Sequence, residues 1–135
     1  MTWDNAYRKI TQGIEVSVVP TFQADRSQPE NNLYIWAYHI RIENQSDEIV
    51  TLRQRCWYIT DATGHTEVVR GAGVVGEQPR LTPGDHFEYS SGTPLSTPSG
   101  IMVGSYDLEK ESGGWLTVEV PAFSLDSPHE QARIN

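Results

Sequence analysis

Apolar residues alternate with polar ones along most of this chain, and this period of two is the feature that most restricts its fold. Ile14, Val16 and Val18 alternate first. The longest such run contains Tyr34, Trp36, Tyr38, Ile40 and Ile42. Successive side chains of a β-strand point to opposite faces, so the pattern indicates strands with one buried face. Since no segment shows helical spacing with capping residues, the chain is predicted to be all-β.

Short turn signals, such as Ala62 to Gly64 and Gly113 with Gly114, divide the alternating segments into strands. The predicted strands cover residues 14–18, 34–42, 50–61, 66–70, 86–91, 102–108 and 116–125. About seven short antiparallel strands are typical of a two-sheet β-sandwich. A chain of 135 residues needs one core, and no linker divides it. We therefore predict a single domain over residues 1–135, with its core at about residues 11–128.

Two changes of phase predict irregular strands. Val50 and Leu52 share one phase of their strand, whereas Trp57 and Ile59 share the other, and a β-bulge near residues 53–55 reconciles the two. Pro121 shifts the phase of the last strand in the same way. Trp57 and Trp36 both lie in phase with apolar neighbours and are predicted to be core residues.

The charge balance restricts the partners. Ten Lys and Arg residues face eighteen Asp and Glu residues, giving a net charge of −8. This charge repels phosphate backbones and anionic lipid, so neither nucleic acid nor a membrane surface is expected as a partner. Cys56 is the single cysteine and cannot form an internal disulfide, and the chain shows no apolar run of signal-peptide or membrane-spanning length. A cytoplasmic location is expected.

A glycine motif supplies the first candidate for a binding site. Gly71, Gly73 and Gly76 match the G-x-G-x-x-G pattern that approaches diphosphates in dinucleotide-binding folds. Consecutive backbone amides of such a loop can form an anion-binding nest, and Arg70 and Arg80 flank this one. On this interpretation the five residues bind a diphosphate or a nucleotide.

A structural interpretation of the same loop is favoured. The motif normally leads into a helix, but here Pro79 follows too soon for a helix to begin. Glycines also allow a loop to adopt positive φ angles, and Val74 and Val75 are then expected to pack inward. The glycines are therefore expected to matter more for backbone shape than for ligand affinity.

No residues combine into a recognisable catalytic centre. The four histidines, His39, His65, His86 and His129, show no metal-ligand spacing. Cys56 has no neighbouring base in sequence and is expected to be a packed, slowly alkylated thiol. The serines include no G-x-S-x-G nucleophile elbow. We expect a protein that is not an enzyme and has no dedicated cofactor.

Several segments together carry a family resemblance. The matching segments are RQRCWYITDATG, GVVGEQP, LTPGDHFEYSSG, GIMVGSY and VEVPAFSL. They cover most of the chain, about residues 11–128, and the chain resembles the ApaG family. Two positions depart from the usual pattern of that family: Cys56 stands where the family usually has histidine, and Ala72 where it often has proline.

The resemblance implies an immunoglobulin-like or fibronectin type III-like sandwich, and it carries no settled biochemical activity. Related domains in a eukaryotic F-box protein and a polymerase-interacting protein look like protein-binding modules. We therefore expect a non-enzymatic binding module with a protein partner, for which Leu33, Ile35 and Ala37 are a candidate exposed patch. The alternatives are diphosphate or nucleotide binding by the glycine loop, and a role in cobalt or magnesium tolerance, which the resemblance implies, through weak binding of Mg²⁺ or Co²⁺ by surface carboxylates. A monomer or a homodimer is expected, and the sequence does not decide between them.

Overall fold

The computed structural model describes residues 3–131, and these residues form nine strands. In chain order the strands are β1 (Tyr7–Thr11), β2 (Ile14–Phe22), β3 (Tyr34–Asn44), β4 (Val50–Asp61), β5 (Thr66–Ala72), β6 (Arg80–Leu81), β7 (His86–Leu95), β8 (Ser99–Lys110) and β9 (Trp115–Asp126). A 3-10 turn covers Pro29–Asn31, and a short helix, α1, covers Pro128–Gln131.

The strands form two antiparallel sheets that pack face to face. The four-stranded sheet has the order β1-β2-β3-β7. The five-stranded sheet has the order β5-β4-β8-β9, and β6 also pairs with β4 beside β5. In β3 every second residue is buried from Tyr34 to Asn44, as expected for a strand with one face on the core. The prediction of an all-β sandwich is confirmed.

Both predicted irregularities are present. In the pairing of β4 with β8, Leu52 faces Leu108 and Gln54 faces Asp107, so Arg53 is the extra residue of a bulge. This bulge lets Leu52 and Trp57 both point into the core despite their opposite phases. The pairing of β8 with β9 shifts in the same way opposite Pro121.

Aromatic rings fill the centre of the core. Trp57 lies on β4, and its ring centroid is 5.4 Å from that of Tyr38, 6.2 Å from that of Tyr106 and 6.1 Å from that of Phe123. Trp36 and Trp57 are both buried, which confirms that they are core residues. Side chains of this size contribute about 1.5–3 kcal/mol each when fully buried.

The two sides of the sandwich differ. On one side β1 packs against β9: the Lys9 Nζ lies 3.1 Å from the Glu119 Oε2, and the Glu119 backbone N–H donates to the Thr11 hydroxyl. On the other side the segment between β5 and β6 lies over the gap between the sheets, beside β7. The candidate site is at this second side.

The candidate patch of Leu33, Ile35 and Ala37 is less accessible than expected, because all three residues are half-buried at the beginning of β3 or just before it. Residues 3–131 contain no helix that is long and apolar enough to cross a membrane.

Candidate functional site

The glycine segment folds as a tight hairpin turn. Val74 and Glu77 exchange two backbone hydrogen bonds, with N–O distances of 2.8 and 2.9 Å. Between them, Val75 and Gly76 both have positive φ, at 45° and 82°. This pattern is typical of a two-residue type I′ turn, which needs positive φ at both central residues. Gly73, with φ of 63°, leads into the turn, so positive φ is confirmed for Gly73 and Gly76.

Close contacts explain why residues 73 and 71 are glycines. A Cβ atom on Gly73 would lie 2.3 Å from the carbonyl oxygen of Glu77, which is much closer than any real contact. Gly71 does not have positive φ, but a Cβ atom there would lie 2.8 Å from three atoms of the Arg55 guanidinium. Gly73 therefore allows the turn to close, and Gly71 leaves room for Arg55.

The two valines of the turn differ. Val74 is fully buried, as expected, whereas Val75 is 54% exposed. The expectation that both pack inward is wrong for Val75, because a two-residue turn places its first central residue at the tip of the hairpin.

The five residues proposed for the diphosphate loop do not line one pocket. Arg70 and Gly71 line a pocket at the outer face of the five-stranded sheet, together with Arg55 and Asp107. Gly76 lines a different cleft. Arg80 instead donates from Nε and Nη2 to the Glu111 Oε1, at 3.0 and 2.8 Å. Diphosphate binding by this loop stays a prediction.

The cleft that contains Gly76 lies between the two sheets, and we call it the Arg55 cleft. Its volume is about 280 Å³. It is lined by Tyr38, Arg55, Trp57, Ala72, Val74, Val75, Gly76, Tyr89 and Ser91. Sequence reasoning missed it, although one signal was visible: Arg55 is a charged residue in the same phase as the buried Trp57 and Ile59.

Hydrogen bonds join the Arg55 side chain to the backbone that follows β5. Its Nη1 donates to the carbonyl oxygens of Ala72 and Gly73, at 3.0 and 2.9 Å. These are the residues that join β5 to the hairpin turn. The guanidinium therefore fixes the loop over the edge of the sandwich while it remains half-buried in the cleft wall.

Three phenols lie near the Arg55 charge. The Tyr89 and Tyr106 hydroxyls are 2.5 Å apart. Burial raises the pKa of Tyr89 and of Tyr106, and the charge of Arg55 opposes this only weakly. Burial also raises the pKa of Tyr38, against a hydrogen bond with Ser91. The three phenols are therefore uncharged at neutral pH, and Tyr38 and Tyr89, which line the cleft, are not phenolates there.

A second feature is a stripe of apolar side chains on the outer face of the five-stranded sheet. Tyr58 pairs with Val68 on one side and with Val103 on the other, and Ile101 lies two residues from Val103 on β8. These four residues, the apolar stripe, are each between 39% and 48% exposed. They share one face because side chains alternate along each strand.

Comparison with known proteins decides the family. The ApaG domain family matches residues 24–110 of the chain. The chain belongs to the ApaG family. It is 57% identical to a protein named ApaG from Rhodospirillum centenum and 56% identical to one from Brucella anthropi. Each alignment covers 96% of this chain and 99% of the relative. These names state no activity, substrate or partner.

Solved structures agree with this membership. The crystal structure of the ApaA protein from Bordetella pertussis has a TM-score of 0.83 and 42% identity, and the match covers 85% of this chain and 94% of that one. The C-terminal domain of wzt has a TM-score of 0.52 at 12% identity, which shows a shared fold alone. The immunoglobulin-size sandwich is thus shared with other ApaG family members.

Cys56 is not packed in the core. It is half-buried on the outer face of β4, where it lines the same pocket as Arg70. The expectation of a packed thiol is wrong because the bulge at Arg53 places Arg55 and Trp57, rather than Cys56, on the inward face.

Binding of Mg²⁺ or Co²⁺ by surface carboxylates was the remaining alternative. Within the described part of the chain, no group of three or more His, Cys, Asp or Glu side chains is arranged to hold a metal ion. A role for Mg²⁺ or Co²⁺ stays a prediction from the resemblance.

Proposed function

We propose that this ApaG family member is a non-enzymatic protein-binding module that uses the apolar stripe. The observation that carries the proposal is the adjacency of Tyr58, Val68 and Val103 on three neighbouring strands. Soluble monomers rarely expose large contiguous apolar patches, and such patches mark interaction sites. Interfaces are also enriched in aromatic residues, which gives Tyr58 a central role.

The outer face of the four-stranded sheet supports this choice by contrast. Beyond the half-buried Ile35 and Ala37, β3 presents His39, Arg41 and Glu43 there, all half-buried and polar. Arg41 and Glu43 also form an ion pair at 3.4 Å. A polar face of this kind is stable in water without a partner. The side chains of the apolar stripe, in contrast, are removed from water only when a partner covers them.

The charge of the protein indicates the kind of partner. With a net charge of −8, the module favours association with a neutral or basic protein surface and disfavours an acidic one. We also propose that the partner is cytoplasmic and that the protein itself is a monomer or a dimer. A second copy of the chain would bring two acidic surfaces together, so a different protein is the favoured partner.

The experiment compares two lysine substitutions of matched type. Val68→Lys places a charge in the apolar stripe, while Ile10→Lys places one on β1, at a side chain that is 56% exposed in the other sheet. We expect affinity capture with the wild-type protein to retain a stoichiometric protein partner. Val68→Lys should lose that partner, and Ile10→Lys should keep it.

Melting temperatures control for folding, and both variants should melt within a few degrees of wild type, because both positions are on the surface. Equal retention of the partner by Val68→Lys would contradict the use of the apolar stripe. The absence of any stoichiometric partner would contradict the binding function itself.

A further inference from the structure

We infer that the Arg55 cleft binds a small organic acid that carries one carboxylate and an aromatic or branched apolar group. This site is distinct from the apolar stripe, because it lies between the sheets and not on an outer face.

The first argument is an unpaired charge. The other half-buried arginines of the described residues, Arg41 and Arg53, each have a glutamate partner within 3.4 Å. Arg55 is half-buried, yet no carboxylate of residues 3–129 lies within ion-pair distance of it. Charges removed from water are normally paired. Although the net charge of the protein is −8, Arg55 has no anionic partner among the described residues.

The second argument is the orientation of the guanidinium. Nη1 donates to the carbonyl oxygens of Ala72 and Gly73. No acceptor among the described residues contacts Nε or Nη2 of Arg55. These two nitrogens form the parallel pair of donors that meets a carboxylate in a bidentate contact.

The third argument is the composition of the cleft. Tyr38 and Ser91 supply hydroxyl groups, while Trp57 and Val74 supply apolar walls. Arg55 is the one cation among the lining residues, so the site matches a single negative charge and has no second cation for a diphosphate. The volume of about 280 Å³ lies just below the usual range for drug-sized ligands, which favours a small acid.

The test uses benzoate, with benzamide as the uncharged molecule of the same shape. The ¹⁵N-labelled protein is titrated with each compound at constant ionic strength, maintained with sodium chloride. We expect benzoate to cause saturable shifts at the Val75 and Gly76 amides and at the Arg55 Nε–H. Benzamide should bind at least about tenfold more weakly, because it lacks the charge-assisted contact.

Variants assign the binding to the cleft. Arg55→Gln should weaken benzoate binding about tenfold or more. Arg70→Gln, which removes the next arginine on the outer face, should leave it unchanged. Because Arg55→Gln also removes loop contacts, Tyr38→Phe provides a second variant that keeps the ring and loses one hydroxyl, and we expect several-fold weaker binding.

Three results would overturn the inference: shifts that do not saturate, equal affinities for benzoate and benzamide, or an equal loss in Arg70→Gln. Val68→Lys separates this site from the proposed protein interface. It should leave the benzoate titration unchanged even where it abolishes partner capture.

Discussion

Gly73 and Gly76 lie three residues apart with the same sign of φ, yet their surroundings differ. A Cβ atom on Gly73 meets the Glu77 carbonyl at 2.3 Å, whereas one on Gly76 meets nothing within 4 Å. Gly76→Ala should therefore cost about 1 kcal/mol of unfolding free energy, from the positive φ alone. Gly73→Ala should cost clearly more, because the turn must open to admit the methyl group.

Urea denaturation of the two variants checks this difference. Equal destabilisation would show that the turn adapts without cost. The same measurements with diphosphate present address the anion-binding interpretation of the loop. We expect no diphosphate-dependent rise in wild-type stability, and a saturable rise that disappears when Arg70 and Arg80 are replaced would contradict this expectation.

The glycines and Arg55 show which features of the site could be predicted from the sequence and which could not. The positive φ of Gly73 and Gly76 was predictable, because glycine is the residue that tolerates it. The role of Gly71 was not, since it depends on the Arg55 side chain, which arrives from a strand sixteen residues earlier in the chain. The inward direction of Arg55 becomes visible only once the bulge is placed at Arg53.

At the scale of strands, most of the fold could be predicted from the sequence. The strands with regular alternation, such as β3, bury one complete face and so leave a clear pattern. The sequence of β1 shows no such pattern, because none of its residues is buried. β6 has two residues and is defined by its pairing with Val50 and Thr51 rather than by its own sequence. The sequence therefore predicts strands that build the core better than strands that extend its edges.

Strand position also predicts local stability. β3 and β8 each pair with two neighbours, whereas β5 is an edge strand with mostly exposed side chains. In native-state hydrogen exchange, the amides of β3 and β8 should exchange only through global unfolding. Those of β5 should open at a cost lower by about 2 kcal/mol or more.

Strand β9 provides the comparison, since it is also at a sheet edge but buries half of its side chains. Its amides should be protected more strongly than those of β5. If β5 exchanges as slowly as β8, the five-stranded sheet opens as one unit and edge position does not control its stability.

At the scale of the whole molecule, the buried phenols make folding sensitive to alkaline pH. The pKa of Tyr89 and of Tyr106 is raised in the folded protein by burial. An unfolded chain ionises its tyrosines near pH 10, so it then binds fewer protons than the folded chain. Stability is therefore fully present below about pH 10 and falls above it, by about 1.4 kcal/mol per pH unit for each such phenol.

Urea unfolding between pH 8 and pH 11 measures this slope. The double variant Tyr89→Phe with Tyr106→Phe should have a shallower slope than wild type, even if its stability at pH 8 is lower. Tyr58→Phe, at an exposed position of the apolar stripe, should keep the wild-type slope. Identical slopes in all three proteins would show that the buried phenols do not control the alkaline transition.

The packing of β9 against the beginning of the chain has a consequence for synthesis. Leu116, Val118, Val120, Phe123 and Leu125 of this strand are all core residues. Phe123 also contacts Tyr7, with ring centroids 6.1 Å apart. A nascent chain that has reached β8 still lacks the strand that covers one edge of the sheet and closes one side of the core. We therefore expect folding to be completed only once β9 has left the ribosome, because until then the nascent chain has exposed apolar surface and an unpaired strand edge, which are the features that chaperones bind.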